Sequence, residues 1–321
     1  MVNWETGKSV DWETGKLVGR ETGKLVGRET GKLGNWETAH QSTSLAIYQS
    51  TNPFFAGVDS GTSTTKAVVI NAERKILGSF VRRSGADLAG AAVAAFEETV
   101  KRAGLSPQAI RHVTATGYGR HNVPFAHDTR TEIGCHGRGC YHYFPEAITV
   151  VDIGGQDCKI IKLDAQGRRT SFKINRKCAA GTGAFLEEIA HKLDIPLGDL
   201  NGLARAASET AQIGSYCTVF TATEVLDRIR AGERTGDIVR GLFDSVARRI
   251  LEMDTLTNRV IMTGGVVAFN DIVAELLSAR AGIVVEIEPH PQEMGAFGAA
   301  LFAAESEVSN QEIRELGNRG N

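Results

Sequence analysis

Two stretches of the chain repeat the same spacing of charged and small residues: DSGTSTTK at 59–66 and DIGGQDCK at 152–159. In each, an aspartate closes an apolar run, a glycine follows two positions on and a lysine seven on, giving Asp59, Gly61 and Lys66 in one and Asp152, Gly154 and Lys159 in the other. Between them lie Ser60, Thr62, Ser63 and Thr64 in the first, and Gly155, Gln156 and Asp157 in the second. A tight turn of this composition presents backbone N–H groups to an anion, and glycine lets the backbone approach closely. An aspartate beside it can hold a hydrated Mg2+ ion or orient a water. One Asp-Gly turn is most often a plain strand connection. Two matched turns facing across a cleft would clamp a polyphosphate such as ATP from both sides, so Asp59 and Asp152 are the candidate catalytic residues. A third glycine pair, Gly264 and Gly265 in MTGGVVAFN, follows a strand and opens a helix, which suits packing under a nucleoside or presenting N–H groups to its phosphate. Neither G-x-x-x-x-G-K-[ST] nor G-x-G-x-x-G occurs.

A cysteine raises a separate question. In NRKCAAGTGAFLEEIA (175–190), Cys178 stands directly before small residues that open a helix. A thiol there feels the partial positive charge of unpaired N–H groups, which favours the thiolate, so Cys178 is a nucleophile, a ligand or a small apolar filler. Gly181, Thr182 and Gly183 in the same run can approach a nucleotide without side-chain bulk. The five cysteines are an odd number and show no C-x-x-C pattern, so a disulfide framework is not expected. Cys158 and Cys217 read as core residues, Cys140 lies off the face of Cys135 on a helix, and His136 and His142 read as solvated imidazoles.

The elements that position these residues form two similar halves. From residue 54, FFAGVDSGTSTTKAVVI reads as a hairpin and KILGSFVRR as a third strand, followed by a helix over 86–103, a strand near Val113 and the turn ATGYGR. AITVVDIGGQDCKIIKL, TSFKIN and a helix over 180–193 repeat that order, and VIMTGG and GIVVEIE then alternate with helices. The class is α/β. The expected divisions are an extension over 1–50, a first lobe at 54–146, a second at 147–305 and a polar tail at 306–321. The extension is a tandem octapeptide with glutamates at Glu5, Glu13, Glu21, Glu29 and Glu37, too short a unit to bury a core and therefore expected to be disordered. The chain has 321 residues, 42% hydrophobic and 23% charged, with net charge -2, which gives no electrostatic case for binding nucleic acid or an anionic membrane surface. Apolar runs such as 88–96 fall short of the roughly 20 residues that cross a bilayer, and the start lacks the order of a secretory signal, so a cytoplasmic protein is expected.

The three glycine-bearing sites together resemble those of the acetate and sugar kinase, heat-shock chaperone and actin superfamily of two-lobed ATPases, over roughly 54–305. That resemblance implies ribonuclease H-like lobes with duplicated βββαβα halves. Within the superfamily the ordered segments ATGYGR, TEIGCHGRG, VVDIGGQD, NRKCAAGTGAFLEE, CTVFTATEV, MTGGVVAFN and MGAFGAAL resemble those of the activators of 2-hydroxyacyl-CoA dehydratases and the related ATPase subunits of benzoyl-CoA reductase. The resemblance implies a homodimer that holds one 4Fe-4S cluster between its subunits, two cysteines from each. ATP hydrolysis would drive one-electron transfer from a reduced ferredoxin or flavodoxin to a CoA-thioester dehydratase or reductase component. Cys178 matches one ligand motif and Cys135, in EIGCHGRG, the other, each expected where a helix begins. The alternatives are the ATPase module of an aryl-CoA reductase, a small-molecule kinase and a nucleotide sensor without iron.

Overall fold

The computed structural model of the chain describes residues 9–10, 17–18, 53–175, 178–214 and 217–318, with side chains from 53 to 307. It divides into two units, 1–47 and 48–321. In the first, Ser9–Val10 pairs antiparallel with Leu17–Val18; the remaining expectation for the octapeptide extension lies outside the described residues.

The second unit holds two five-stranded sheets of identical topology. The first is built from β1 (Phe54–Ser60), β2 (Thr64–Ile70), β3 (Ile76–Arg83), β4 (Ile110–Thr116) and β5 (Asp128–Thr129), with α1 (Leu88–Arg102) between β3 and β4 and α2 (Glu132–Tyr143) after β5. The second contains β6 (Ile148–Ile153), β7 (Cys158–Leu163), β8 (Arg169–Asn175), β9 (Arg259–Thr263) and β10 (Val285–Ile287). Helices α3 (Gly183–Lys192), α4 (Leu200–Arg205), α5 (Thr218–Arg230) and α6 (Thr235–Met253) lie between β8 and β9, α7 (Gly265–Phe269) and α8 (Ile272–Ala281) between β9 and β10, and α9 (Met294–Asn318) closes the chain. The strand orders are β3-β2-β1-β4-β5 and β8-β7-β6-β9-β10; in each the first three strands are antiparallel and the last two run parallel to the central one. This is the duplicated ribonuclease H-like architecture, with five extra helices in the second half, three between its third and fourth strands and two between its fourth and fifth. The region expected as a polar tail continues α9 as far as Asn318.

Local chemistry explains the boundaries. Asp87 caps α1 by accepting from the Gly90 N–H (2.9 Å), and the face carrying Ala91, Ala92, Ala95, Phe96 and Val100 is buried on the first sheet. β1 is buried along its whole length because helices cover both faces of its sheet. The helices that end each half cross over: α2 packs on β6 and β7 of the second sheet, while α9 packs on β1, β2 and β4 of the first. Where they cross, Gly298 of α9 lies against the Cys135 carbonyl of α2, and Gly139 of α2 against Met294. Gly57 of β1 likewise lets the α9 backbone come down onto the sheet at Ala296 and Ala300. No helix among the described residues is long and apolar enough to cross a membrane.

Past β10, the Glu288 carboxyl is 2% exposed, and burial pushes it up to about 8, opposed in part by the His290 backbone N–H and reinforced by Glu293. A carboxyl raised in the folded state holds a proton that the unfolded chain has released. Its contribution to stability is therefore complete below the usual carboxylate pKa and is lost as the pH climbs to about 8. Glu288→Gln should leave the melting temperature near pH 5 unchanged and raise it by several degrees at pH 8, roughly 2–4 °C per kcal/mol. Melting curves that stay parallel across that range would contradict this account.

Candidate functional site

The two hairpins present the same side chains from the same lattice points. Asp59 pairs in register with Lys66 on β2 and Thr116 on β4; Asp152 pairs with Lys159 on β7 and Thr263 on β9. The duplication therefore reaches two residues beyond the hairpins, to Thr116-Gly117 and Thr263-Gly264. Both glycines have positive φ, +88° and +103°, and a Cβ on either would collide with the adjacent aspartate, Asp59 Oδ1 or Asp152 Oδ1. Gly264, read from the sequence as a third site, is thus the counterpart of Gly117 in ATGYGR. The shared Thr-Gly after an apolar strand was the signal for it.

The two turns meet. A Cβ on Gly155 of the second would overlap Ser63 of the first. The start of α3 rests on the second turn, with the Gly183 N–H donating to the Gly154 carbonyl (2.9 Å) and the Ala184 N–H to the Gly155 carbonyl (2.7 Å). Two of the N–H groups that a helix start leaves unpaired are thereby satisfied, and Gly181, Thr182 and Gly183 brace the turn from behind. Gly181, at φ +83°, packs on Arg249, and Thr182 is fully buried. Gly265, the first residue of α7, lies within van der Waals reach of Gln292.

Between the turns lies a buried network of charge. Lys66 Nζ donates to Asp59 Oδ2 at 3.0 Å. Lys159, fully buried, lies 2.9 Å from Asp152 Oδ2, 2.9 Å from Glu132 Oε1 and 2.6 Å from Asp157 Oδ1. Burial alone would lower both lysines, but the surrounding carboxylates outweigh it, raising Lys66 and holding Lys159 well above the usual lysine range. Burial would raise Asp152, and the opposing pull of His136, Lys159 and Lys66 holds it below the usual carboxylate range, so it is ionised. On α2, Glu132 is raised by burial against the opposing field of Lys159.

Glu132 and His136 escaped the sequence reading. Expected as a solvated imidazole, His136 is 4% exposed, with Nε2 3.7 Å from Asp152 Oδ2 and no hydrogen bond to its buried Nδ1. The spacing of four residues that puts Glu132 and His136 on one face of a helix was visible, but which face turned inward depended on α9. His142, the second such imidazole, is half-buried with its ring edge on Phe297. A divalent cation fits this surrounding chemistry: Asp59 Oδ1 is buried without a hydrogen-bond partner, and oxygen atoms of Glu132 and Asp152 lie with a His136 nitrogen within 4.8 Å of one another.

The cysteines divide differently from the expectation. Helix α2 begins at Glu132 under a Thr131 cap, so Cys135 lies past its first residues rather than ahead of it. Its side chain is 0% exposed, and burial pushes the thiol up to about 12 despite the Thr116 hydroxyl beside it. A neutral, enclosed thiol whose carbonyl is covered by Gly298 does not suit a cluster shared with a second subunit, and the assignment of Cys135 as a ligand is corrected on that ground. Cys140 and Cys158 are buried, as their spacing suggested for Cys158. Cys178 and Cys217 are exposed. Cys217, expected in the core, is instead the residue immediately before α5, followed by Val219 at 71% and Phe220 at 68% exposure. Helices α3 and α5 pack against each other, so both exposed thiols precede helices of one layer. The donor chemistry of these two, not of Cys135, fits an iron–sulfur cluster.

The profile of the BadF/BadG/BcrA/BcrD ATPase family matches residues 56–303. The activator of lactoyl-CoA dehydratase from Anaerotignum propionicum is 40% identical over 256 residues, which cover 78% of this chain and 97% of that protein. Among solved structures, the activator of the 2-hydroxyisocaproyl-CoA dehydratase from Clostridium difficile with bound ADPNP superposes with a TM-score of 0.77 at 33% identity, covering 81% of this chain and 97% of that one. Component A of the (R)-2-hydroxyglutaryl-CoA dehydratase of Acidaminococcus fermentans gives 0.76 at 32% identity, covering 80% and 99%.

Proposed function

The chain belongs to the BadF/BadG/BcrA/BcrD ATPase family, and from that premise we propose that it is an ATP-hydrolysing activator that delivers single electrons to a 2-hydroxyacyl-CoA dehydratase. The observation that carries this reading is the meeting of two identically built Asp-turn-Lys hairpins, Gly155 of one against Ser63 of the other, in a chain that superposes on an activator binding ADPNP.

In this reading the turns 60–64 and 154–157 hold the phosphates through backbone N–H groups and hydroxyls, and Lys66 adds charge. Asp59 and Asp152 hold the hydrated Mg2+ and orient the attacking water, Asp152 by virtue of being ionised. Gly264 and Gly265 pack beneath the nucleoside. Cys178 and Cys217 are the thiols we assign to a 4Fe-4S cluster; two per chain complete a set of four only across a symmetric contact, so the working unit is a homodimer. When bound, the cluster supplies one-electron chemistry. The two hydrogen bonds from α3 to Gly154 and Gly155 tie the Cys178 end of that helix to the second phosphate turn, so that closing the turn on ATP moves the thiol. A reduced ferredoxin or flavodoxin supplies the electron, the dehydratase component takes it, and the chain works in the cytoplasm.

The test is iron content after oxygen-free purification. The wild type should be brown with about two irons per chain. Cys178→Ser and Cys217→Ser should each lose at least about nine-tenths of that iron while binding ADPNP within about threefold of wild type, and Cys135→Ser should keep it. Iron retained in Cys217→Ser but lost in Cys135→Ser would overturn the ligand assignment, and a colourless, iron-free wild type would overturn the electron-donor reading.

A further inference from the structure

Two consecutive arginines of α6, Arg248 and Arg249, reach the segments that carry the two exposed thiols. Consecutive residues of a helix diverge by about 100°, so the pair serves two different neighbours. On one side the Arg249 side chain lies on Gly181, where an added Cβ would stand 3.1 Å from Arg249 Cδ and 3.5 Å from its Cβ. Gly181 belongs to the turn that follows Cys178, closed by the Thr182 N–H and hydroxyl donating to the Ala179 carbonyl. The Cys178 carbonyl itself accepts from the Asn175 side chain at 3.3 Å.

On the other side Arg248 Nη2 donates to the Ile213 carbonyl at 3.0 Å and stands 3.7 Å from Asp244 Oδ2. Its Nε is buried without a hydrogen-bond partner, a cost that a guanidinium free to turn to water would avoid, so these two contacts hold the fork in place. Arg280 of α8 binds the same Asp244 and fixes the anchor. Residues 212–214 are gripped in turn by α5: Arg228 donates to the Gln212 carbonyl, and the Gly214 N–H donates to Glu224 Oε1 at 2.9 Å. Cys217 stands immediately before that helix, its carbonyl accepting from the Thr221 N–H at 2.8 Å. A continuous series of contacts thus runs from Gly181 through Arg249 and Arg248 to α5 and Cys217.

We infer that Arg248 and Arg249 are positioning residues that make the two thiols move together. When the start of α3 shifts with the second phosphate turn, Arg249 passes the shift to α6, and Arg248 passes it through Ile213 to α5 and Cys217. Helix α6 serves as a rigid bar, being 19 residues long and buried along one face from Ile238 to Ile250. A cluster bound by both thiols needs their spacing kept while the helices move, and a bridge of this kind keeps it. The role toward a cluster rests on the electron-donor reading; the linkage between the two segments does not.

The linkage is tested on the full chain after a chelator has stripped any iron. Alkylation of Cys178 and Cys217 by iodoacetamide is followed by peptide mass spectrometry, with and without ADPNP. In wild type, ADPNP should change both rates by about threefold or more. Arg248→Met and Arg249→Ala should keep the response of Cys178, which α3 ties directly to the phosphate turn, and lose that of Cys217. Arg249→Lys retains an aliphatic stem over Gly181 and should respond at both thiols. Melting curves establish that each variant folds; should Arg248→Met not fold, Arg248→Gln carries the same comparison. A Cys217 response that survives both Arg248→Met and Arg249→Ala, or one that Arg249→Lys also abolishes, overturns the proposal. So does a wild type that binds ADPNP without a response at either thiol. A wild type that binds no ADPNP overturns the phosphate clamp and the motion with it, whereas a wild type that held no iron before stripping overturns the electron-donor reading and leaves the linkage standing.

Discussion

Asp152→Asn should lower ATP hydrolysis by about 10²–10⁴-fold while leaving ADPNP binding within about tenfold of wild type. The asparagine keeps the shape but not the charge. At Asp152 the charge is what the surroundings select for, since His136, Lys159 and Lys66 together hold the carboxyl ionised against its burial. Lys159 keeps Glu132 and Asp157 as partners, so the loss of folding stability should fall below the roughly 3–5 kcal/mol expected when a buried charge is left with none. Phosphate release, melting temperature and ADPNP affinity measured on one preparation separate the chemistry from the fold. Wild-type turnover in Asp152→Asn, with turnover lost in Asp59→Asn, would mean that the first hairpin alone carries the reaction.

Gly298→Ala should be, with Gly57→Ala, among the most damaging single methyl groups at the described residues. The added Cβ would collide with the carbonyl oxygen, carbonyl carbon and Cα of Cys135, all closer than real Cβ contacts allow, and all three are backbone atoms within a helix. No rotamer relieves such a clash; α2 and α9 have to part, and both sheets lose part of their cover. A loss above about 4 kcal/mol follows, seen as a fall in melting temperature of more than about 10 °C or as insoluble protein. Gly202→Ala is the matching control. In α4 nothing lies within 4 Å of the added Cβ, and the helix gains about 0.5–1 kcal/mol. Melting of Gly298→Ala within 2 °C of wild type would show that the two helices have room to spare.

Both hairpins were legible because their information is local: an apolar strand, a turn of glycine and hydroxyls, and a lysine returning opposite its own aspartate need only a few consecutive residues. The doubled α/β order was legible for the same reason. What escaped was decided by partners far along the chain. Cys135 was assigned through the motif EIGCHGRG and an expected helix start, yet Gly139 beyond it serves the crossing with α9, and Gly298 lies directly on the Cys135 backbone. Glu132 and His136 became part of the site only once α2 had crossed to the second sheet. Cys217 was misread in the other direction. The apolar TVF after it suggested a core, whereas Val219 and Phe220 face outward and Thr221, Ala222 and Val225 face in. A short apolar run does not tell which side of a helix is covered.

The exchange of closing helices also sets a timetable for folding during synthesis. Phe55, Val68 and Ile70 on the first sheet are covered by α9, whose Ala296 touches β1 roughly 240 residues downstream of Gly57. At ordinary ribosomal speeds that interval is about 10–50 seconds, during which a half-built sheet stands bare. Translation pauses late in the message would leave that apolar face uncovered longest.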